Sequence, residues 1–396
     1  MRIAQISPLF ESVPPRLYGG TERVVHYLTE ELVRGGHDVT LFASGDSETS
    51  ARLVPVCDKA LRLGNAAEPV AHHILALEKA FRNEDGFDVI HSHVDYLAWP
   101  WARSHPHAPM LATLHGRLDL PELQPFYREF REAAAVSISD SQRSPIPWIR
   151  WLGTVYHGLP PDLYAFHPRP GNYLAFLGRA SPEKGLEDAI DIAIRAGMPL
   201  KVAVKVDRKD LDYFEERIRP RFRHPLVEFL GEIGGGEKEA FLGGAFALLF
   251  PIDWPEPFGL VMIEAMACGT PVIARRRGSV PEVMLDGVSG YVFETDDEAV
   301  EALARVPDLS RLGCRKYFEE RFTSRRMAGG YLDIYRQAAS AAGTAEGTAI
   351  LGGGDWQGRY DGGGHQRQRQ VLHHGQLLPG REAEPGPEAW GDVRGI

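Results

Sequence analysis

Glu256 and Glu264 stand eight positions apart in Phe250-Pro-Ile-Asp-Trp-Pro-Glu256-Pro-Phe258-Gly259-Leu260-Val-Met-Ile-Glu264-Ala-Met-Ala-Cys268-Gly269-Thr-Pro271. The run reads as a strand end at Phe250, a proline-rich loop, and a helix built on Leu260, Val261, Ile263 and Met266 that Gly269 and Pro271 stop. Backbone N–H groups near Phe258, Gly259 and Leu260, with the positive end of the helix dipole, suit a phosphate, and Gly259 leaves room for its close approach. If every residue between the carboxylates rose as in a helix, they would lie at most ~12 Å apart. A glycosidase needs its pair about 5 to 9.5 Å apart across one bond, so hydrolysis fits poorly. A long ligand fits better, with a sugar hydroxyl on Glu256, a diphosphate over the helix terminus and a ribose on Glu264.

Other residues offer matching chemistry. Arg179 and Lys184, in Leu177-Gly-Arg179-Ala-Ser-Pro-Glu-Lys184-Gly185, fall on a strand-to-helix loop, where a guanidinium fork and a mobile ammonium suit a departing diphosphate. Gly19 and Gly20, just before Thr21, would expose backbone N–H groups without side-chain obstruction. No GxGxxG follows the first strand, which argues against a dinucleotide site. His115 ends a strand in Thr113-Leu-His115-Gly116. His91 and His93 share a sheet face by period-two spacing and read as a polar strand end or acceptor contact, since no third zinc ligand accompanies them. Trp99 and Trp101 suit either stacking on an acceptor sugar or core packing. The one DxD pair, Asp210-Leu-Asp212, reads as a helix cap ahead of Tyr213, so no metal and no cofactor are expected.

These residues need two sheets to position them. Strand-like runs at Ile3 to Ser7, Val39 to Ala43, Val89 to His93, Leu111 to His115, Val136 to Ser139 and Thr154 to His157 alternate with helical segments, and Thr21 can cap a helix ended by Gly35-Gly36. A second series runs through Tyr173 to Leu177, Leu200 to Val204, Val227 to Leu230, Ala247 to Phe250, Pro271 to Ala274 and Gly290 to Phe293. The expected fold is α/β, two doubly wound domains facing each other across a cleft. Boundaries fall at 1–158, a proline-rich linker at 159–170, a second domain at 171–320, and a helix at 321–340 returning to the first domain. The glycine- and charge-rich segment 341–396 is expected to be disordered.

With 396 residues, 43% of them hydrophobic, the chain has length for two domains, and a formal charge of −10 gives no overall field for nucleic acid. Cys57, Cys268 and Cys314 are far apart and read as buried thiols. No apolar run approaches a membrane span, peripheral membrane contact is not expected, and the reading is cytoplasmic.

The Glu256-x7-Glu264 signature, with Pro-Phe-Gly between and Ala-Met-Ala-Cys-Gly-Thr-Pro following, resembles the retaining nucleotide-sugar glycosyltransferases of family 4, with the GT-B fold. The resemblance runs from residue 1 to about 338. It implies Arg179 and Lys184 on the diphosphate, Gly19-Gly20 closing over the phosphates, His115 against the donor hexose, and a backbone reading of the base at Gly231 and Ile233. It further implies transfer of a hexosyl group from a UDP- or GDP-sugar to a sugar-containing or small-molecule acceptor, for which His93, Trp99 and Trp101 are the candidate contacts read above. A synthase or phosphorylase on the same fold and a non-catalytic nucleotide-sugar binding module stay open as alternatives.

Overall fold

Runs rich in Val, Ile, Leu and Ala, without polar alternation, make strands buried on both faces. The computed structural model describes residues 1–16, 19–62 and 66–349, with side chains as far as 339. The first sheet contains β1 (Arg2–Ile6), β2 (Asp38–Ala43), β3 (Arg52–Pro55), β4 (Val89–Ser92), β5 (Met110–Thr113), β6 (Ala134–Ser137) and β7 (Arg150–Thr154), all parallel, in the order β3-β2-β1-β4-β5-β6-β7. The second contains β8 (Leu174–Arg179), β9 (Leu200–Lys205), β10 (Val227–Gly231), β11 (Ala247–Phe250), β12 (Val272–Arg275) and β13 (Gly290–Phe293), again parallel, in the order β10-β9-β8-β11-β12-β13.

Each sheet grows outward in both directions from its first strand, so the order reverses between β1 and β4 and between β8 and β11. Loops leaving the carboxyl ends of such neighbours part to opposite faces and leave a crevice. Those four strands lead directly to the Gly19-Gly20 loop, to His93, to Arg179 and Lys184, and to Glu256. Several of the candidate residues therefore follow the strands at which the order reverses.

Two strands differ from expectation. β3 lies at the sheet edge, half exposed, with Arg52 and Pro55 at its ends, and carries no apolar run to announce it. β7 occupies Arg150–Thr154 rather than Thr154 to His157, because the chain leaves the sheet after Val155 to cross between the sheets. β5 and β6 also stop short, at Thr113 and Ser137, which puts His115 and Ser139 in loops.

Helix α1 (Gly20–Arg34) buries Val24, Val25, Leu28 and Leu32, each worth about 1.5–3 kcal/mol for the side chains of Val and Leu size. Its cap residue is Gly19, not Thr21, which lies inside the first turn. Helix α2 (Leu186–Ala196) packs Ile190 and Ala193 on the second sheet, and α3 (Leu260–Ala267) is buried along nearly its whole length. Helix α4 (Arg311–Arg321) leads to the second crossing, and α5 (Ser324–Ala349) continues past the expected end at 340. Of the segment expected to be disordered, residues 350–396 lie outside the described residues.

The two crossings are stitched to each other. Leu159 N–H donates to Phe322 O at 2.9 Å and Ser324 N–H to Leu159 O at 2.8 Å. Gly158 permits this contact, since a Cβ there would lie 2.3 Å from Thr323 O. Beyond the crossing, Tyr331 and Tyr335 of α5 are fully buried and reach His91, Thr113 and Gln5 of the first sheet.

The turn that carries Lys184 depends on Gly185, with φ +72° and a would-be Cβ only 2.0 Å from Pro251 O. Gly185→Ala is expected to cost more than about 2 kcal/mol. A thermal-melt midpoint unchanged from wild type would contradict this account of the turn.

Candidate functional site

Gly259 has φ +80° and ψ 66°, a left-handed conformation that turns the proline loop abruptly into α3. A Cβ at Gly259 would meet Met262 Cε at 2.8 Å and Phe250 Cζ at 3.1 Å, so the turn is both strained for other residues and closely packed. Phe258 is buried, with ring centroids 4.9 Å from His157 and 6.1 Å from Phe322, so it anchors the loop while its backbone stays at the helix mouth. Across the crevice, a methyl on Gly20 would lie 3.5 Å from Leu260 Cδ1. The glycine loop of the first sheet and the helix terminus of the second therefore meet.

The charged residues around this mouth occur in pairs. Lys184 Nζ lies 2.5 Å from Glu256 Oε2, which also accepts from Trp254 Nε1 at 2.8 Å, and the ammonium sits 4.6 Å from the Trp254 ring centroid. Arg179 is held by Glu183, by Asp210 at 3.7 Å and by Asp207 at 3.9 Å. Glu264, on α3, takes Lys238 Nζ at 2.9 Å and the Tyr164 hydroxyl at 3.4 Å. Burial and the Glu264 charge push the Tyr164 phenol up from its usual range. Glu256 and Glu264 are both buried, which is tolerable for a carboxylate only with such partners.

Lys238, Trp254 and the acidic partners of Arg179 escaped the sequence reading. Lys238 lies 26 positions from Glu264, and nothing local links them. Asp210, read as a helix cap, makes no capping hydrogen bond and faces Arg179 instead. Gly231, with φ +77°, ends β10, and Ile233 packs half-buried against the core just beyond it.

His115 lies beyond β5, with its N–H donating to Asp95 Oδ1 at 2.8 Å. Asp95 adopts φ +48°, and burial pushes its carboxyl up to about 6 against the opposing effect of the His115 and Gly116 N–H groups. The His115 ring stacks on His157 at 5.3 Å and 16°, and burial lowers its pKa to about 3. His91, His93 and His157 are driven well below the ordinary histidine range for the same reason.

Two expected acceptor contacts, at Trp99 and His93, are corrected. Trp99 is fully buried, packed on Phe126 and Tyr127, so its face is unavailable to a sugar. Trp101 packs against the same core but is only partly buried, and its expected role is not contradicted. His93 is 1% exposed, with one ring nitrogen near Gln5 and the other near His115, so it touches the site only through His115.

The sheets are also tied together beside this mouth. Glu282 accepts the N–H groups of Asp140 and Ser141 at 2.7 and 2.6 Å and the Tyr156 hydroxyl at 3.1 Å, while Ser139 Oγ donates to Pro257 O at 2.6 Å. Among the described residues there is no group of three or more His, Cys, Asp or Glu arranged to hold a metal, and no helix long and apolar enough to cross a membrane.

Residues 18–153 match the family described as Glycosyltransferase Family 4, and residues 166–319 match Glycosyl transferases group 1. The phosphatidyl-myo-inositol mannosyltransferase of Mycolicibacterium smegmatis is 28% identical over 343 residues, 75% of this chain and 82% of that protein. A D-inositol 3-phosphate glycosyltransferase of Saccharomonospora viridis is 47% identical over 135 residues, 32% of this chain and 31% of that protein. The sucrose-phosphate synthase structure from Thermosynechococcus elongatus superposes with a TM-score of 0.69 at 19% identity, covering 86% of this chain and 99% of that one. That likeness establishes the fold, two facing α/β domains of the GT-B type.

Two pH-dependent outcomes follow from burial. His115 is expected to stay neutral, so its ring resonances should not titrate between pH 5 and 8; a midpoint near 6.5 would refute its burial. Glu22, in the first turn of α1 beside Gly19, has its carboxyl pushed up to about 7 by burial, from 4.5. The folded state thus holds a proton that the unfolded state has lost, so stability is complete below about pH 4.5 and falls as pH rises through 7, by roughly 3 kcal/mol in all. Glu22→Gln cannot ionise, so its stability relative to wild type should rise by that amount from pH 4.5 to pH 8. Equal urea-midpoint differences at the two pH values would rule this out.

Proposed function

Because the chain belongs to the GT-B glycosyltransferases of the group 1, family 4 type, we propose that it moves a hexosyl group from a UDP- or GDP-sugar to a hydroxyl of a sugar-containing or small-molecule acceptor. Transfer retains configuration at the anomeric carbon and uses no metal. The observation that carries this reading is the meeting of the Gly20 loop with the mouth of α3, with the Lys184–Glu256 pair just before that helix and the Lys238–Glu264 pair on it.

The diphosphate lies over the backbone N–H groups at Gly259 and Leu260, with Gly19 and Gly20 closing from the first domain. Lys184 turns from Glu256 toward the phosphates, leaving Glu256 held by Trp254 and able to accept a sugar hydroxyl. Glu264 accepts the ribose hydroxyls. The acceptor oxygen bonds to the anomeric carbon on the face from which the diphosphate leaves. The broken bond's electron pair goes to the departing phosphate oxygen, and the acceptor's proton goes to a phosphate oxygen as well. Arg179 and Lys184 stabilise the charge that develops there, and no enzyme nucleophile is required.

UDP-, GDP- and ADP-sugars should be tested first for thermal stabilisation, where a donor at 100 times its Kd adds about 2.7 kcal/mol, and then for nucleoside diphosphate release with candidate acceptors. Lys184→Ala and Arg179→Ala are each expected to lower kcat by about 10² or more. Chelator is expected to leave the rate unchanged. Donor binding without turnover on any acceptor would favour a binding module, and chelator-sensitive turnover restored by Mg²⁺ would overturn the metal-free mechanism.

A further inference from the structure

Behind His115 runs a chain of buried polar side chains between the first sheet and α5. His115 Nε2 lies 3.0 Å from His93 Nδ1, and His93 Nε2 lies 2.7 Å from Gln5 Oε1. Gln5 Nε2 donates to the Tyr335 hydroxyl at 3.0 Å, which lies 2.7 Å from His91 Nδ1. His91 Nε2 lies 2.7 Å from Thr113 Oγ1, which lies 3.0 Å from the Tyr331 hydroxyl. Gln5, His91, Thr113, Tyr331 and Tyr335 are fully buried.

A neutral imidazole has one donor and one acceptor, so each link dictates the next. Gln5 is the one member whose two ends have fixed and opposite character, an oxygen that only accepts and an NH₂ that only donates. Its oxygen puts the His93 proton on Nε2 and leaves Nδ1 as a lone pair. That lone pair requires an N–H at His115 Nε2, which makes His115 Nδ1 an acceptor. In the other direction the Gln5 NH₂ turns the Tyr335 O–H toward His91 Nδ1, and the His91 proton then rests on Nε2 facing Thr113. Every link is satisfied with one proton in each. His115 Nδ1 is left buried and without a hydrogen-bond partner, on a ring that stacks on His157 next to Phe258 at the mouth of α3.

We propose that Gln5 is a positioning residue which, through His93, holds His115 in the Nε2–H tautomer, so that its Nδ1 meets a hydroxyl of the bound sugar as an acceptor. The identity of the ligand rests on the glycosyltransferase reading; the tautomer does not. The polarity imposed at His115 selects an O–H donor over a carbonyl or ring oxygen, which an Nε2–H, Nδ1 lone-pair imidazole cannot serve at this edge. Tyr335 joins α5 to the same chain, so the helix that follows the domain crossing helps to hold the amide of Gln5 in place.

The test is a long-range ¹H–¹⁵N spectrum of the full-length, ¹⁵N-histidine-labelled protein without donor, with His115 assigned by the loss of its signals in His115→Gln. Expected is a protonated Nε2 and an unprotonated Nδ1 at His115; the reverse tautomer overturns the proposal whatever the enzyme activity. Gln5→Glu presents accepting oxygens to both neighbours, so it should keep the His115 tautomer while moving the His91 proton to Nδ1. Gln5→Leu should leave His115 as a tautomer mixture and lower kcat about tenfold, the worth of one lost hydrogen bond, with nucleoside diphosphate affinity unchanged. An unaltered His115 spectrum in folded Gln5→Leu would refute the role of Gln5. Absence of turnover in wild type with the expected tautomer intact would count against the glycosyltransferase reading alone.

Discussion

A cation cannot be kept half-buried in a crevice without a counter-charge, and this cost shapes the mouth of α3. Lys184 is held by Glu256, Lys238 by Glu264, and Arg179 by Glu183, Asp207 and Asp210. Each pairing holds positive charge in place against a carboxylate, with which the proposed diphosphate would have to compete. For Lys184 and Glu256 the exchange has a second consequence, because the oxygen that the ammonium releases, Glu256 Oε2, is also the one held by Trp254 Nε1. In the proposed mechanism, phosphate binding and sugar binding are thereby linked through that one ion pair.

The positions of these pairs depend on how the two sheets are joined. The crossings at Leu159 and Phe322 to Ser324 hydrogen-bond to each other, and Glu282 of the second domain caps the short helix Asp140–Arg143 of the first. A carboxylate on free N–H groups at a helix start is favourable electrostatically, and here it also fixes the distance between domains. Ser139 adds a bond to Pro257, one residue before Phe258. The loop preceding α3 is therefore gripped from both sides of the crevice.

On the first-domain side the histidines form an ordered polar seam rather than a set of separate ligands. His91 and His93 lie with ring centroids 3.9 Å apart, neutral by burial, with their ring nitrogens within hydrogen-bond distance of protein partners. Buried polar groups of this kind are tolerable only when nearly every donor and acceptor is matched, which gives such a network a defined direction.

The amino-acid sequence by itself determined what is local. Parallel-sheet strands are legible because burial on both faces demands continuous apolar runs, and the α3 mouth is legible because Gly259, the prolines and the following apolar run lie within a few residues. The resemblance around Glu256 and Glu264 added the family, and the topology agreed. The weak edge strand β3 and the displaced β7 were hidden, because neither carries a strong apolar period. Only the tertiary structure decided which charges pair and which aromatics are covered. Trp99 and a sugar-stacking tryptophan look the same in sequence, and Lys238 acquires its meaning only when folding brings it to Glu264. Gln5 is a plain strand residue until α5 returns over it with Tyr335, 330 positions later. Pairing across such separations is set by chain topology and by the cost of leaving a buried polar group unmatched, neither of which is written in any short stretch of residues.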